Sequence, residues 1–91
     1  MTDYVNIVSS SDEDTSSVHL FGVDEHYDIQ EEVVKMRGKE PVKSSKRHLI
    51  LVNMRTCNLQ GLPMQGNVTA TINDYLQCTI PANSHESVGQ P

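Results

Sequence analysis

The densest group of polar side chains in the sequence is the stretch from Asp24 to Asp28, which reads Asp-Glu-His-Tyr-Asp and has His19 nearby. Carboxylates and imidazoles at this density can ligate a divalent metal ion. The stretch lacks the alternating Asp or Asn positions and the closing Glu of a calcium-binding loop. Aspartate is also common in turns, where its side chain accepts hydrogen bonds from nearby backbone amides. We therefore interpret these residues as a structural turn, keep metal ligation as the alternative, and predict no metal or cofactor.

The residue types needed for nucleophilic catalysis are present, but they form no motif. Serine, histidine and aspartate all occur, yet the Gly-x-Ser-x-Gly sequence that exposes a catalytic serine is missing. The serines concentrate in polar segments with nothing to orient them, and a chain of 91 residues leaves little room for a preorganised pocket. The sequence therefore predicts a protein that is not an enzyme and has no catalytic residues.

The two cysteines, Cys57 and Cys78, could form one disulfide or remain free. Cys78 alternates with Leu76 and Ile80 on an apolar face, which is typical of a buried free thiol that packs as a small hydrophobe. The four histidines and two cysteines do not have the spacing of a zinc site. We predict free cysteines and keep the disulfide as the alternative.

The charged residues are sorted into two blocks. Residues 1–32 carry nine carboxylates and no Lys or Arg, and residues 35–47 carry six of the seven basic side chains. Such blocks suit a chain whose acidic surface meets a basic surface of a neighbouring copy or partner. Glu31 and Glu32 lead directly into the basic block, so their contacts with it can lie within one chain. The candidate protein-interaction residues are Asp12, Glu13 and Asp14 in the acidic block and Lys43, Lys46 and Arg47 in the basic block.

The overall charge argues against a nucleic-acid partner. The net charge is −5, and the basic block contains no aromatic side chain on which a base could stack. The longest apolar run is too short to span a bilayer, and no signal peptide is recognisable, so we expect no membrane contact and synthesis in a cytoplasm. A chain this short has a thin core, and oligomerisation is the remaining way for it to gain stability.

Short strands separated by turn residues predict an all-β fold, a small antiparallel β-sandwich or barrel of five or six strands with extended polar arms at both termini. We divide the chain into residues 1–17, a first strand and acidic arm, residues 18–80, the β core, and residues 81–91, a polar tail. The strands are expected near residues 5–8, 18–23, 29–36, 48–55, 67–72 and 76–80.

Three finer expectations concern the second half of the chain. Residues 37–47 are interpreted as a broad connection, and residues 48–55, apolar on both faces, as a central strand covered on both sides. Residues 73–75 are expected to form a three-residue loop that pairs Ile72 with Leu76 and keeps the apolar residues on one face. One long bent strand is the alternative.

A series of short motifs runs through the chain. A Ser-rich stretch ends in Asp14-Thr15 and is followed by a Gly-apolar-Asp turn at residues 22–24. A Tyr at 27, a Glu-x-Val strand at 32–34, a Gly at 38 and an apolar strand at 49–52 come next, and an Ile-Pro-Ala ending lies at 80–82. In these motifs, over roughly three quarters of its length by eye, the chain resembles small structural proteins of tailed bacteriophages.

The resemblance implies an all-β virion component without catalytic residues. We expect a capsid decoration (cement) protein on the outside of the head, where it bridges neighbouring subunits of the major capsid protein as a homotrimer. One alternative is a head–tail connector or tail component of the virion. Another is a small acidic phage inhibitor that occupies a host nucleic-acid-binding protein.

Overall fold

The computed structural model describes residues 2–57 and 62–87, and it contains seven strands and no helix in these ranges. The strands are β1 (Asp3–Ser9), β2 (Ser17–Val23), β3 (Ile29–Lys35), β4 (Val42–His48), β5 (Ile50–Cys57), β6 (Val68–Ile72) and β7 (Tyr75–Ile80). They form two antiparallel sheets, one with the strand order β4-β1-β6-β7 and one with the order β3-β2-β5. The predicted all-β class is confirmed, with seven strands rather than five or six. The described ranges hold no helix that could cross a membrane.

A single core lies between the two sheets. Strands β1, β2 and β6 alternate regularly between buried and less buried residues, because successive side chains of a strand point to opposite faces. Each large apolar side chain removed from water contributes about 1.5–3 kcal/mol. The buried apolar residues are Val5, Ile7, Val18, Leu20, Val34, Met36, Leu51, Met54, Met64, Val68, Ala70, Ile72, Cys78 and Ile80. This core holds the inner faces of the sheets together and leaves their outer faces to the surface.

The segment predicted as a broad connection contains strand β4. Its charged residues Lys43, Lys46 and Arg47 are exposed, whereas Ser44 and His48 are buried. The apolar alternation that marks a strand is therefore missing, because the inward positions of β4 carry a serine and a histidine. β4 pairs with β1 along the edge of the four-stranded sheet.

Strand β5 lies at the edge of the three-stranded sheet, so the prediction of a central strand covered on both sides is wrong. Its inner face buries Leu51 and Met54, whereas Ile50 is 48% and Val52 60% exposed. The register with β2 shifts beside Val52, which has no partner on that strand. The apolar residues on the second face of this strand are therefore exposed on the outside of the sheet and are not covered by a second layer.

The β6–β7 turn has two residues, Asn73 and Asp74, and not the three predicted. Both have positive φ angles, 50° and 67°, as a two-residue type I′ hairpin requires. Ile72 pairs with Tyr75 instead of Leu76. The alternative of one bent strand is also wrong, since two separate strands pair here.

A bulge in β7 reconciles this shorter turn with the apolar pattern. Thr71 pairs with Leu76 and Ala70 with Cys78, so Gln77 has no partner and the side-chain alternation shifts by one residue. Cys78 therefore returns to the buried face, while Leu76 remains 45% exposed. The apolar residues of β6 and β7 all lie at even-numbered positions, and that pattern predicted a three-residue turn. Because the bulge at Gln77 shifts the alternation by one residue, the same pattern fits a two-residue turn.

Both polar terminal segments lie against the sheets as far as the structure describes them. The Ser10 amide donates to the Asn67 carbonyl, 3.0 Å away. Near the other end, the Thr56 amide donates to the His85 carbonyl and the Ser87 amide to the Met54 carbonyl, each at 2.7 Å. The structure does not confirm extended arms, and residues 88–91 of the predicted tail lie outside the described residues.

Candidate protein-interaction surface

The acidic stretch at residues 24–28 is a turn, as predicted. One oxygen of Asp24, Oδ1, accepts hydrogen bonds from the His26 amide at 2.8 Å and the Asp28 amide at 3.0 Å. The hydrogen bond from the Asp28 amide lowers the pKa of the Asp24 carboxyl. This carboxylate is thus used to close the turn between β2 and β3. Across residues 2–57 and 62–87, no group of three His, Cys, Asp or Glu residues is arranged to hold a metal ion.

Both cysteines are free thiols, and the disulfide alternative is wrong. Cys78 is buried in the core, and its Sγ lies 3.7 Å from the Leu51 carbonyl oxygen. Burial raises the pKa of the Cys78 thiol, which keeps it protonated and poorly reactive. Cys57 is exposed at the end of β5.

Of the three acidic candidates, Asp14 is turned into the molecule. It is 4% exposed; its Oδ1 accepts from the Gln65 amide at 2.8 Å, and its Oδ2 from the Gly66 amide at 2.9 Å and from the Ser9 hydroxyl. Asp14 thereby joins the turn after β1 to the segment before β6. The other two acidic candidates, Asp12 and Glu13, are exposed, and their contact with a partner stays a prediction.

Replacing Asp14 by asparagine is expected to lower the free energy of unfolding by about 2 kcal/mol. The amide offers one acceptor oxygen to three donors and turns its own NH2 group toward one of them. Urea denaturation of the purified variant measures the loss. Glu13→Gln is the matched control, because the exposed Glu13 side chain should change stability by less than about 0.5 kcal/mol. Equal losses in the two variants would contradict the role of Asp14.

The three basic candidates are exposed on β4. The Arg47 guanidinium lies over the Tyr4 ring, 5.0 Å from its centroid, and Lys46 Nζ donates to the Glu31 carbonyl at 3.0 Å. Lys43 projects from the same strand. Among the described residues, no ion pair joins these side chains to the three acidic candidates. The two sets are not paired within one chain, and their contact with a partner stays a prediction.

Glu32 connects the two sheets where β3 runs beside β4. One oxygen, Oε1, accepts from the Ser45 amide at 2.7 Å and the Ser45 hydroxyl at 3.0 Å. The other, Oε2, accepts from the Lys46 amide at 3.1 Å and His48 Nε2 at 2.9 Å. Burial by itself would raise the pKa of the Glu32 carboxyl, but these hydrogen bonds hold it below its ordinary value. Glu32 thus contacts the segment of the basic block within one chain, but through backbone amides, Ser45 and His48 and not through a Lys or Arg side chain.

His48 completes this polar connection from inside the core. Its side chain is fully buried, and its Nδ1 lies 3.1 Å from Gln30 Nε2, which also donates to the Arg47 carbonyl at 2.6 Å. Gln30 must therefore donate to Nδ1, which leaves the proton on Nε2, facing Glu32. The sequence indicated that Glu32 could contact the basic block within one chain, but it did not indicate a role for His48. Nothing in the sequence distinguishes His48 from the other histidines, because its burial follows from its position on β4.

Part of the outer face of the three-stranded sheet is apolar and exposed. Four of its residues are exposed: Ile29 by 78%, Val52 by 60%, Val33 by 54% and Ile50 by 48%. Val23 lies between two of them, paired with Ile29 on β3 and with Ile50 on β5. Isolated exposed apolar residues are ordinary, but a contiguous exposed apolar group on one sheet face is a candidate interaction surface.

An aromatic and charged group occupies the middle of the same face. The His19 and Phe21 rings are stacked, with centroids 4.3 Å apart, and the Arg55 guanidinium lies 4.9 Å from the Phe21 centroid. His19 Nε2 is 2.8 Å from Glu31 Oε1. Aromatic and arginine side chains are enriched in protein interfaces. The sequence pattern missed this face because its residues come from three strands that are separated along the chain.

A cavity of about 180 Å³ opens beside the Asp14 turn. It is smaller than the 300–1,000 Å³ typical of small-molecule sites. Its lining residues are Glu13, Asp14, Thr15, Ser16, Leu62, Pro63 and Gln65. By its volume, this cavity is not a typical small-molecule site.

The described residues form two packed antiparallel sheets, and the exposed, partly apolar face of the three-stranded sheet is their candidate site. Comparison with known proteins assigns no family to it, because no family model, no curated protein and no solved structure matches the chain.

Proposed function

We propose that this chain is a virion structural protein, specifically a capsid decoration protein that bridges neighbouring capsid subunits and stabilises the head. The observation that carries an assembly role is the uncovered apolar face of the β3-β2-β5 sheet, since a protein that works alone rarely leaves such a face exposed. The particular assembly is suggested by the resemblance of the sequence motifs to structural proteins of tailed bacteriophages.

The two sheets offer different surfaces for this role. The outer face of the apolar sheet suits contact with another apolar protein surface. The β4 edge presents Lys43, Lys46 and Arg47, which suit carboxylates on the major capsid protein. Each exposed charge pair contributes about 0.2–1 kcal/mol, but a shell with many copies multiplies such contacts through avidity. The protein then acts passively, as a homotrimer at local three-fold positions that resists internal pressure.

Quantitative mass spectrometry of purified particles tests this function. A decoration protein is expected on the order of hundreds of copies per particle, since it follows the symmetry of the shell. About a dozen copies or fewer would favour a head–tail connector or tail component. Absence from particles, together with salt-sensitive binding to a basic host protein, would favour the inhibitor of a host nucleic-acid-binding protein.

A charge-reversed variant tests the role of β4. Lys43→Glu, Lys46→Glu and Arg47→Glu together are expected to lower the occupancy of the protein on heads at least tenfold at low salt, because the attraction becomes repulsion. Lys39→Glu, in the exposed turn before β4, is the matched control and should retain most of the occupancy. Unchanged occupancy in the triple variant would show that these three side chains contact solvent and not the capsid.

A further inference from the structure

The outer face of the β3-β2-β5 sheet is ordered in rows that cross the three strands. The first row, Ile29-Val23-Ile50, is wholly apolar. The next two rows are Glu31-Phe21-Asn53, with Val52 beside it, and Val33-His19-Arg55. The last row, Lys35-Ser17-Cys57, is polar. The face thus changes from apolar to polar along the strand direction and carries an acid on β3 and a cation on β5.

This order restricts how two copies can stack face to face. A two-fold axis parallel to β2 places β3 of one copy over β5 of the other and keeps the rows in register, so each apolar row meets an apolar row. A two-fold axis across the strands reverses the rows. If this axis passes through the middle of the face, Ile29 lies against Lys35 and Val23 against Ser17 of the second copy. If it passes through the apolar row, only the ends of the two sheets overlap. Only the parallel axis buries the apolar row against itself while the rest of the two faces also overlap.

The charges on the face favour the same arrangement. With the axis parallel to β2, Glu31 on β3 lies over β5 of the second copy, one row away from its Arg55. One row is two residues, about 7 Å along a strand, and stacked sheets lie about 10 Å apart. Both side chains are long enough to meet across that gap, and the symmetry forms the pair twice.

We propose that this face binds a second copy of the chain about a two-fold axis parallel to β2, with the Ile29-Val23-Ile50 rows packed together and Glu31 paired with Arg55 of the second copy. The pairing deepens the assembly role proposed above and names the partner of its apolar face. It is compatible with three-fold placement on a shell, because neighbouring three-fold positions are related by local two-fold axes.

Sedimentation velocity of the purified protein over a concentration series tests the pairing directly. The wild-type protein is expected to associate in pairs as its concentration rises. Val52→Glu and Ile29→Glu are each expected to weaken that association at least tenfold, because a negative charge enters the apolar contact. Leu76→Glu is the matched control, an exposed apolar residue on the other sheet, and should associate like the wild type. No two-fold step at any concentration, or equal weakening by the control, would overturn the proposal.

A charge exchange then identifies the axis. Glu31→Arg alone and Arg55→Glu alone should each self-associate poorly. In either homodimer, residue 31 of each copy would carry the same charge as residue 55 of the other copy, so both contacts would be repulsive. A mixture of the two variants should form heterodimers, because both pairs are then of opposite sign. A mixture that associates no better than its components would overturn the proposed axis. These measurements use the isolated protein, so their failure leaves the copy number on particles as an independent test of the proposed function.

Discussion

Replacing Gly22 by alanine is expected to lower the free energy of unfolding by about 3 kcal/mol, near the upper end of overpacking effects. A methyl group on this residue of β2 would overlap Nδ1 of the fully buried His48 and lie 3.1 Å from the Ile50 carbonyl oxygen. His48 cannot move away without leaving Glu32 and Gln30. Urea denaturation followed by circular dichroism measures the change.

A double-mutant cycle separates this clash from a general effect of losing glycine in a strand. His48→Ala alone should also destabilise the protein, because it removes a buried side chain and leaves Glu32 without one donor. If the overlap with His48 is the cause, the double variant Gly22→Ala with His48→Ala should be about 1–3 kcal/mol more stable than the sum of the single effects. Additive losses would contradict this explanation.

Replacing Glu32 by glutamine is expected to lower the free energy of unfolding at neutral pH by about 3 kcal/mol. The side chain is 5% exposed and accepts four hydrogen bonds from Ser45, Lys46 and His48. Glutamine has one acceptor oxygen, and its NH2 group would face donors. About two of the four hydrogen bonds that Glu32 accepts would therefore be lost, and urea denaturation again measures the loss.

The contribution of Glu32 should also depend on pH. Its pKa in the folded protein lies below the ordinary value, so the unfolded chain takes up the proton first as pH falls. The stabilisation is therefore fully present above the unfolded pKa of about 4.3 and decreases as pH falls through the lower folded pKa. The difference in stability between wild type and Glu32→Gln should be constant near neutral pH and shrink below about pH 4.

Glu40→Gln is the control for both Glu32 measurements. Glu40 forms an exposed ion pair with Arg37, and such pairs contribute about 1 kcal/mol or less. A Glu32 variant that behaves like this control, or a difference that grows as pH falls, would contradict the structural role of the Glu32 carboxylate.

Strands with apolar residues at alternate positions could be predicted from the sequence, and those whose pattern is interrupted could not. β1, β2 and β6 bury every second residue, so their alternation was visible. β4 turns Ser44 and His48 inward and therefore looks like a loop. In β7, the unpaired Gln77 shifts the alternation by one residue, and a local pattern cannot show such a shift.

Contacts of the candidate site could be predicted only between residues that are near one another in the sequence. The closeness of Glu32 to the basic block in the sequence indicated their contact. Asp14 was expected to face a partner because its neighbours are acidic, but the amides that it binds belong to Gln65 and Gly66, half the chain away. The apolar outer face depends on the lateral order of β3, β2 and β5, which composition does not encode.

The position of β1 has a consequence for how the chain reaches its native state. Of the seven described strands it is the first to be synthesised, yet it lies between β4 and β6, and its residues Asn6 to Ser9 pair with residues 68–71. The four-stranded sheet cannot close around β1 until most of the chain has left the ribosome. Because such distant pairings must overcome loop-closure entropy, we expect folding on the millisecond-to-second timescale. Until residues 68–71 are synthesised, the edge of β1 that faces β6 has no partner and is open to pairing with another chain.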